Sequence, residues 1–364
     1  MEATPLLSIV VASRNDDHGG GLLGRMQTFV DALAAQVERH GLDVELVVVV
    51  WNPPPGRPGL SDAISWPSSE ALPTRIVCVP PEMHARIENA RILPFHQMIA
   101  KNVGLRRARG TFALATNVDV VLSDALAGSL LPGRLDPSRQ YAAVRHDADI
   151  VPIGGEPLDD LLGRCAAATI AVRQTRGTIR VAEASEPPIH GRFTSLPKVI
   201  GVPLRAVTYA PALLRDLAAS TAGRTGGVRA RLALELARVD LHTNACGDFT
   251  LLPRAGWDAL RGYPELPIYP VHLDSLLVYE AHYAGFSQEV LPGPLVHLDH
   301  GDSYGRAPTA GQEALDRVRN EDVPFSTDDD LARWIVDLRS GRRPVPRNGE
   351  DWGLADVELR ERLG

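Results

Sequence analysis

The chain has 364 residues, enough for one large or two modest domains, and its 44% hydrophobic and 23% charged residues describe an ordinary globular protein with a sizeable core. A net charge of −7 argues against nucleic acid as the main partner, although one local basic or metal-bearing pocket suffices for a nucleotide. The three cysteines, Cys78, Cys165 and Cys246, are scattered without a Cys-x-x-Cys pair, which excludes a zinc ribbon or disulfide framework and fits a reducing cytoplasm. No basic stretch with an apolar core opens the sequence, and no run nears the ~18 apolar residues that span a bilayer, so a cytoplasmic protein without leader or transmembrane segment is expected.

Leu6 to Ala12 reads as a buried strand, left by the polar turn Ser13-Arg14-Asn15-Asp16-Asp17. Residues 22–40 follow as an amphipathic helix with Leu22, Leu23, Met26, Phe29, Val30, Leu33 and Val37 on one face, ended by Gly41. Val44 to Val50 is a second strand, halted by Trp51-Asn52 and three prolines, and 53–73 is a surface excursion. Arg75 to Val79 is a third. Gly19 to Gly24 formally matches G-x-G-x-x-G, but five polar residues separate it from the strand and the second strand closes on Asn52 rather than an acid. A glycine-rich turn before the helix is the better account.

The most informative stretch runs from Met98 to Asp124. Ile99, Val103 and Leu105 sit at near-helical spacing, with Lys101, Arg106, Arg107 and Arg109 on the side expected to face water and Gly110 placed for a left-handed cap. Thr111 to Ala115 then reads as a central parallel strand ending in Thr116-Asn117-Val118-Asp119, polar groups at a carboxyl edge, where open α/β sheets bind ligands. Residues 126–139 read as a loop, Tyr141 to Arg145 as a strand, and 151–240 as short unassigned segments with a helix over 228–239. A second informative block holds Asn244-Ala245-Cys246-Gly247-Asp248-Phe249, Trp257 to Glu265, then Leu273-Asp274-Ser275 opening a helix that ends at Ala284-Gly285-Phe286. Leu295 to Ser303 places His297 and His300 after a short strand, and Asp328-Asp329-Asp330 reads as the cap of a helix near 331–339.

Lys101-Asn102-Val103-Gly104…Ala108-Arg109-Gly110 leading to Asn117-Val118-Asp119 resembles the helix and Asp-x-Asp strand of nucleotide-sugar-dependent glycosyltransferases with the GT-A fold, particularly family-2-like inverting members. The first acid is here an amide. Leu273-Asp274 stands where that family carries a Glu-Asp pair, and the resemblance covers about residues 5–125 and 244–300. It implies an α/β fold, a Rossmann-like doubly wound, mostly parallel sheet with an acceptor-side subdomain. The implied division is a nucleotide-sugar-binding half over 1–139, an acceptor-side and catalytic half over 140–305, and a C-terminal helical tail over 306–364 that wraps the surface or pairs with a second copy.

The same resemblance implies a sugar moved from a nucleoside diphosphate sugar, a UDP-sugar by family habit, to a hydroxyl of a saccharide or small-molecule acceptor. A divalent metal, Mn2+ or Mg2+, would be held by Asp119, His297 and His300, with Asp299 and Asp302 as alternatives in the same loop. Asp119 otherwise caps the following turn, and the histidines otherwise bond locally. Asp274 would act as general base of an inverting transfer, or simply cap its helix, and Asp248 competes for the role. Ser13, Arg14, Asn15, Asp16 and Asn52 would meet the base and ribose, Lys101 the phosphates, and Asn117 the ribose or sugar. Arg14 otherwise pairs a surface acid, Lys101 and Arg106 otherwise remain solvated, and Trp257 and Tyr263 form a sugar platform or a core anchor. The alternative is a non-catalytic nucleotide-sugar-binding protein whose Asp-x-Asp site has degenerated. A sugar-phosphate nucleotidyltransferase would need a glycine-rich Arg/Lys loop directly after the first strand, which Ser13 to Asp17 does not supply.

Overall fold

The computed structural model describes residues 4–181, 239–300 and 323–364. Its frame is one twisted sheet, in the order β11 (Arg360–Leu363), β3 (Thr74–Val79), β2 (Val44–Trp51), β1 (Leu7–Ser13), β4 (Phe112–Thr116), β9 (Phe249–Pro253), β6 (Arg139–Ala148), β10 (Ser287–Leu298) and β5 (Val120–Leu122). A hairpin of β7 (Thr169–Gln174) and β8 (Gly177–Arg180) pairs onto β6. Strands β3, β2, β1, β4, β6 and β10 run one way, and β11, β9 and β5 run the other. The fold is therefore a mixed α/β domain with a mostly parallel central sheet.

The apolar runs become strands buried on both faces because each alternate residue meets a different layer. Leu7, Ile9 and Val11 with Leu46, Val48 and Val50 pack against Met26, Phe29, Val30 and Leu33 of the helix Leu22–His40. Val10, Ala12, Val47 and Val49 face the opposite layer, where Ile99 and Val103 of the helix Gln97–Arg107 lie with Trp257. The first helix ends as expected, with Gly41 at φ 65° donating its N–H to the Val37 carbonyl at 2.8 Å.

Several expectations need correction. The helix Gln97–Arg107 stops without a left-handed glycine: Ala108 is extended, and Gly110 is not among the glycines with positive φ. Gly110 serves close approach instead, since a Cβ there would lie 2.5 Å from the Ser8 amide nitrogen. Lys101 is not on a wet face but fully buried. The strand expected over 141–145 runs through its charged residues to Ala148. The capping residue of the helix Asp328–Arg339 is Thr327, in a capping box with Asp330, and the three aspartates form the first turn. The tail is not purely helical, because Arg360–Leu363 pairs antiparallel with β3. Residues 228–238 of the expected helix, and Asp302, lie outside the described residues.

In the helix Leu273–Tyr283, burial raises the half-buried Glu280 carboxyl to about 7, against the pull of Arg343 and Arg347. Below the ordinary carboxyl range both folded and unfolded chains hold this proton. As pH rises, the unfolded chain releases it first, so this group lowers stability progressively from about pH 4.5 to about pH 7. Thermal melts across pH should show Glu280→Gln melting above wild type at pH 8, with the gap closing at pH 4. An equal gap at both pH values would contradict this.

Candidate functional site

Strand direction gathers the site. Strands β1, β2, β4, β6 and β10 deliver their carboxyl ends to one edge, while the reversed strands β5 and β9 begin there, so Asp119 and Asp248 arrive just before them. Register does the rest. His297 of β10 stands beside Asp147 of β6 and beside Val120 of β5, and the Leu298 amide donates to the Asp119 carbonyl at 2.8 Å. Thr116 pairs with Phe249, which brings Asn117 against Asp248.

Asp119, His297 and His300 converge, each offering one ligand atom within 4.8 Å of the others. Asp119 Oδ2 lies 3.2 Å from His300 Nε2 and 3.7 Å from His297 Nε2. Among the described residues Asp119 Oδ1 is buried without a hydrogen-bond partner, the kind of orphaned acceptor a cation would satisfy. One carboxylate and two imidazoles suit Mn2+ or another transition metal better than Mg2+. The residues present therefore fit a divalent cation. Burial works against the Asp119 carboxylate, but His297 and His300 outweigh it and hold its pKa well below the usual range. Burial and Arg145 would both lower the His297 imidazole, yet Asp119 and Asp147 overcome them and hold it at about 9. The glycine-rich turn belongs here too: Gly19, at φ 67°, packs so close to the His300 ring that a Cβ would collide with it.

Beside this cluster lies a buried charge array that the sequence reading missed. Arg145 donates through Nε to Asp147 Oδ1 at 2.7 Å and through Nη1 to Asp248 Oδ2, and Arg173 Nε donates to Asp147 Oδ2 at 2.9 Å. Burial opposes ionisation of Asp147, but His297, Arg145 and Arg173 push its pKa far down. Two charges at alternate positions of one strand, Arg145 and Asp147, were the available signal: they share a face, and on an apolar strand that face is internal.

Asp248 thus has both oxygens engaged, since Asn117 Nδ2 donates to Oδ1. Asn117 is itself committed within the protein, its Oδ1 accepting from Gln97 Nε2 at 3.1 Å. Asp274 is not the capping residue of its helix; His272 is, and the Asp274 Oδ1 accepts from the Ser275 amide at 2.7 Å. Its other oxygen lies over Gly247, where a Cβ would come within 2.8 Å. Burial raises its pKa. Lys101 reaches the same turn from below, its ammonium donating to the Gly247 carbonyl at 2.6 Å. Burial lowers the Lys101 pKa, offset by Asp248, Asp274 and Asp119.

The remaining expected residues form a second group at the ends of β1 and β2. Arg14 Nε donates to the Asn52 carbonyl at 2.7 Å and Nη1 lies 3.3 Å from Asp16. Asn15 is buried and donates to the Pro58 carbonyl at 2.9 Å, while its Oδ1 and the Ser13 hydroxyl are buried without partners among the described residues. Asn52 adopts φ 44°, an uncommon conformation for a non-glycine residue. Arg106 does not join either group, lying over the Trp352 ring at 5.1 Å. Trp257 and Tyr263 are core anchors: both are buried, with ring centroids 5.2 Å apart, and the indole donates to the Ala113 carbonyl.

No family model matches the chain, and no curated protein matches it. Among solved structures, the crystal structure of GalNAc-T7 with UDP, GalNAc and Mn2+ is similar at a TM-score of 0.45 and 12% sequence identity. The similarity covers 98% of this chain and 57% of that one, so the chain spans little more than half of that protein's length. A likeness of this size carries no inference about chemistry. Among the described residues no helix is long and apolar enough to cross a membrane.

Proposed function

We propose that this chain is a metal-dependent glycosyltransferase that moves a sugar from a nucleoside diphosphate sugar, a UDP-sugar in the first instance, to an acceptor hydroxyl. The observation that carries the reading is the convergence of Asp119, His297 and His300 at the carboxyl edge of the sheet, where open α/β sheets bind nucleotides. The motif resemblance around Lys101 to Asp119 and around Asp274 supports it. Asp119, His297 and His300 would hold the divalent cation, which when bound supplies charge neutralisation for the leaving diphosphate. Ser13, Arg14, Asn15, Asp16 and Asn52 would take the nucleoside.

Asp274 would receive the proton of the attacking hydroxyl in an inverting transfer. Its burial-raised pKa suits a base better than a fully solvated carboxylate. Asp248 is the weaker candidate, because Arg145 and Asn117 already occupy its oxygens. Lys101 would fix the turn that carries Gly247 beneath Asp274 rather than bind phosphate directly.

A panel of nucleotide sugars incubated with Mn2+ and simple hydroxyl acceptors, followed by nucleoside diphosphate release, tests this. Asp274→Asn keeps the side chain's shape but cannot accept the proton, so kcat should fall about 100-fold with donor affinity unchanged. An unchanged kcat would remove Asp274 from the base role. The internal commitment of Asn117 and Asp248 favours a second reading, a non-catalytic nucleotide-sugar binder. Tight metal-dependent donor binding without turnover for any donor would select it.

A further inference from the structure

We infer that Asp147 is the positioning residue of the candidate metal centre: it fixes the His297 ring so that Nδ1 carries a proton toward Asp147 and Nε2 is turned toward Asp119 and the cation. The inference rests on the proposed metal site and adds to it a residue in contact with neither substrate nor cation.

His297 Nδ1 lies 3.3 Å from Asp147 Oδ1, an ion-pair contact rather than a formed hydrogen bond, and His297 Nε2 lies 3.7 Å from Asp119 Oδ2. The two ring nitrogens therefore face two different carboxylates. Only one of those carboxylates belongs to the converging group of Asp119, His297 and His300. An imidazole that ligates through one nitrogen needs its proton on the other, and a carboxylate facing that other nitrogen sets the tautomer and the ring plane.

Asp147 is built for a fixed role. Its side chain is fully buried, and it is held from two further directions, by Arg145 Nε at 2.7 Å on the oxygen that faces His297 and by Arg173 Nε at 2.9 Å on the other. A carboxylate clamped by two guanidiniums cannot swing toward the cation itself, nor rotate away from the imidazole. The positions are set by register, since Asp147 and His297 are paired neighbours on β6 and β10, and Arg145 and Arg173 are paired on β6 and β7. Charge points the same way. Asp119, Asp147 and Asp248 set against Arg145 and Arg173 leave one unit of negative charge once a cation displaces the proton that His297 otherwise holds. That excess favours a cation, and Asp119 is the member of the set that no guanidinium pairs among the described residues. Arg145 also bonds Asp248, so it links the His297 support to the carboxylate that receives Asn117.

The test uses the full chain. Mn2+ affinity is read from the free-ion electron paramagnetic resonance signal for wild type and Asp147→Asn, with melting curves to verify folding. The nitrogen-15 spectrum of the His297 ring is recorded on the ion-free proteins at about pH 10, where the ring is neutral and one nitrogen alone carries the proton, assigned with His297→Gln. We expect Asp147→Asn to bind Mn2+ roughly 10- to 100-fold more weakly, and the wild-type ring to show a protonated, hydrogen-bonded Nδ1 whose resonance moves in the variant. Equal Mn2+ affinity in the two proteins, or a wild-type ring without a proton on Nδ1, would overturn the inference. Should Asp147→Asn fail to fold, the wild-type ring spectrum decides alone. Should wild type bind no Mn2+, the metal site of the proposed function fails, while the ring spectrum still decides what Asp147 does to His297.

Discussion

Asp119→Ala is expected to abolish Mn2+-dependent donor turnover, with a loss on the order of 1,000-fold or more. Asp119 is the one carboxylate among the three converging groups, and the two imidazoles left behind carry no negative charge to hold a hard cation against water. The substitution also removes the group that, among the described residues, bonds His300 Nε2, and one of the two carboxylates that hold the His297 proton. His297 then keeps only Asp147 of these two carboxylates against burial and Arg145, both of which lower its pKa, so its charged form is less favoured. The loss should appear in Mn2+ affinity as well as in turnover, and excess Mn2+ should not restore full activity. Wild-type Mn2+ affinity in Asp119→Ala would place the ion elsewhere.

Arg145→Leu is expected to cost about 3–5 kcal/mol of stability, because it breaks a buried charge pair from one side only. The guanidinium bridges Asp147 and Asp248, and all three side chains are at most one-tenth exposed. Asp147 would retain Arg173, but Asp248 would lose its guanidinium and keep the Asn117 amide with the more distant charge of Lys101. An exposed ion pair would be worth at most about 1 kcal/mol, so the two outcomes separate clearly in a urea titration. A cost below about 1 kcal/mol would mean that the array is hydrated and that the support of His297 does not run through Arg145. The double variant Arg145→Leu with Asp248→Asn should recover part of the loss, since the uncompensated charge goes with the arginine.

The first half of the fold was legible because burial on both faces writes itself as continuous apolar sequence. Leu7–Ser13, Val44–Trp51 and Thr74–Val79 were each foreseen to within a residue or so. The strand Val120–Leu122 is three residues long, and Arg360–Leu363 is a charged, exposed edge strand, so neither has a periodicity to read. The strand Arg139–Ala148 was cut short at its charges because a run of Arg145, His146 and Asp147 looks like an exit to solvent. It is internal because Arg173, Asp248 and His297, all distant in sequence, meet it there.

The same limit applied to the site. Asp119 stands out as a carboxylate at a strand end and His297 and His300 through the family resemblance, and the structure brings the three together. Lys101 reads from the sequence as a phosphate-binding cation on a wet helix face, or else a solvated one, whereas its partner is the carbonyl of Gly247. Beyond its alternation with Arg145 on one strand, Asp147 carries no local signal of its role. Its meaning comes from sheet register across 150 residues, which a single sequence does not display.

The measurement that tests the central claim most directly is a calorimetric titration of uridine and guanosine diphosphates into the wild-type protein, with and without Mn2+. The proposed function predicts binding of one of them that requires Mn2+ and disappears in Asp119→Ala. Binding of neither nucleotide to the Mn2+-saturated protein would contradict it.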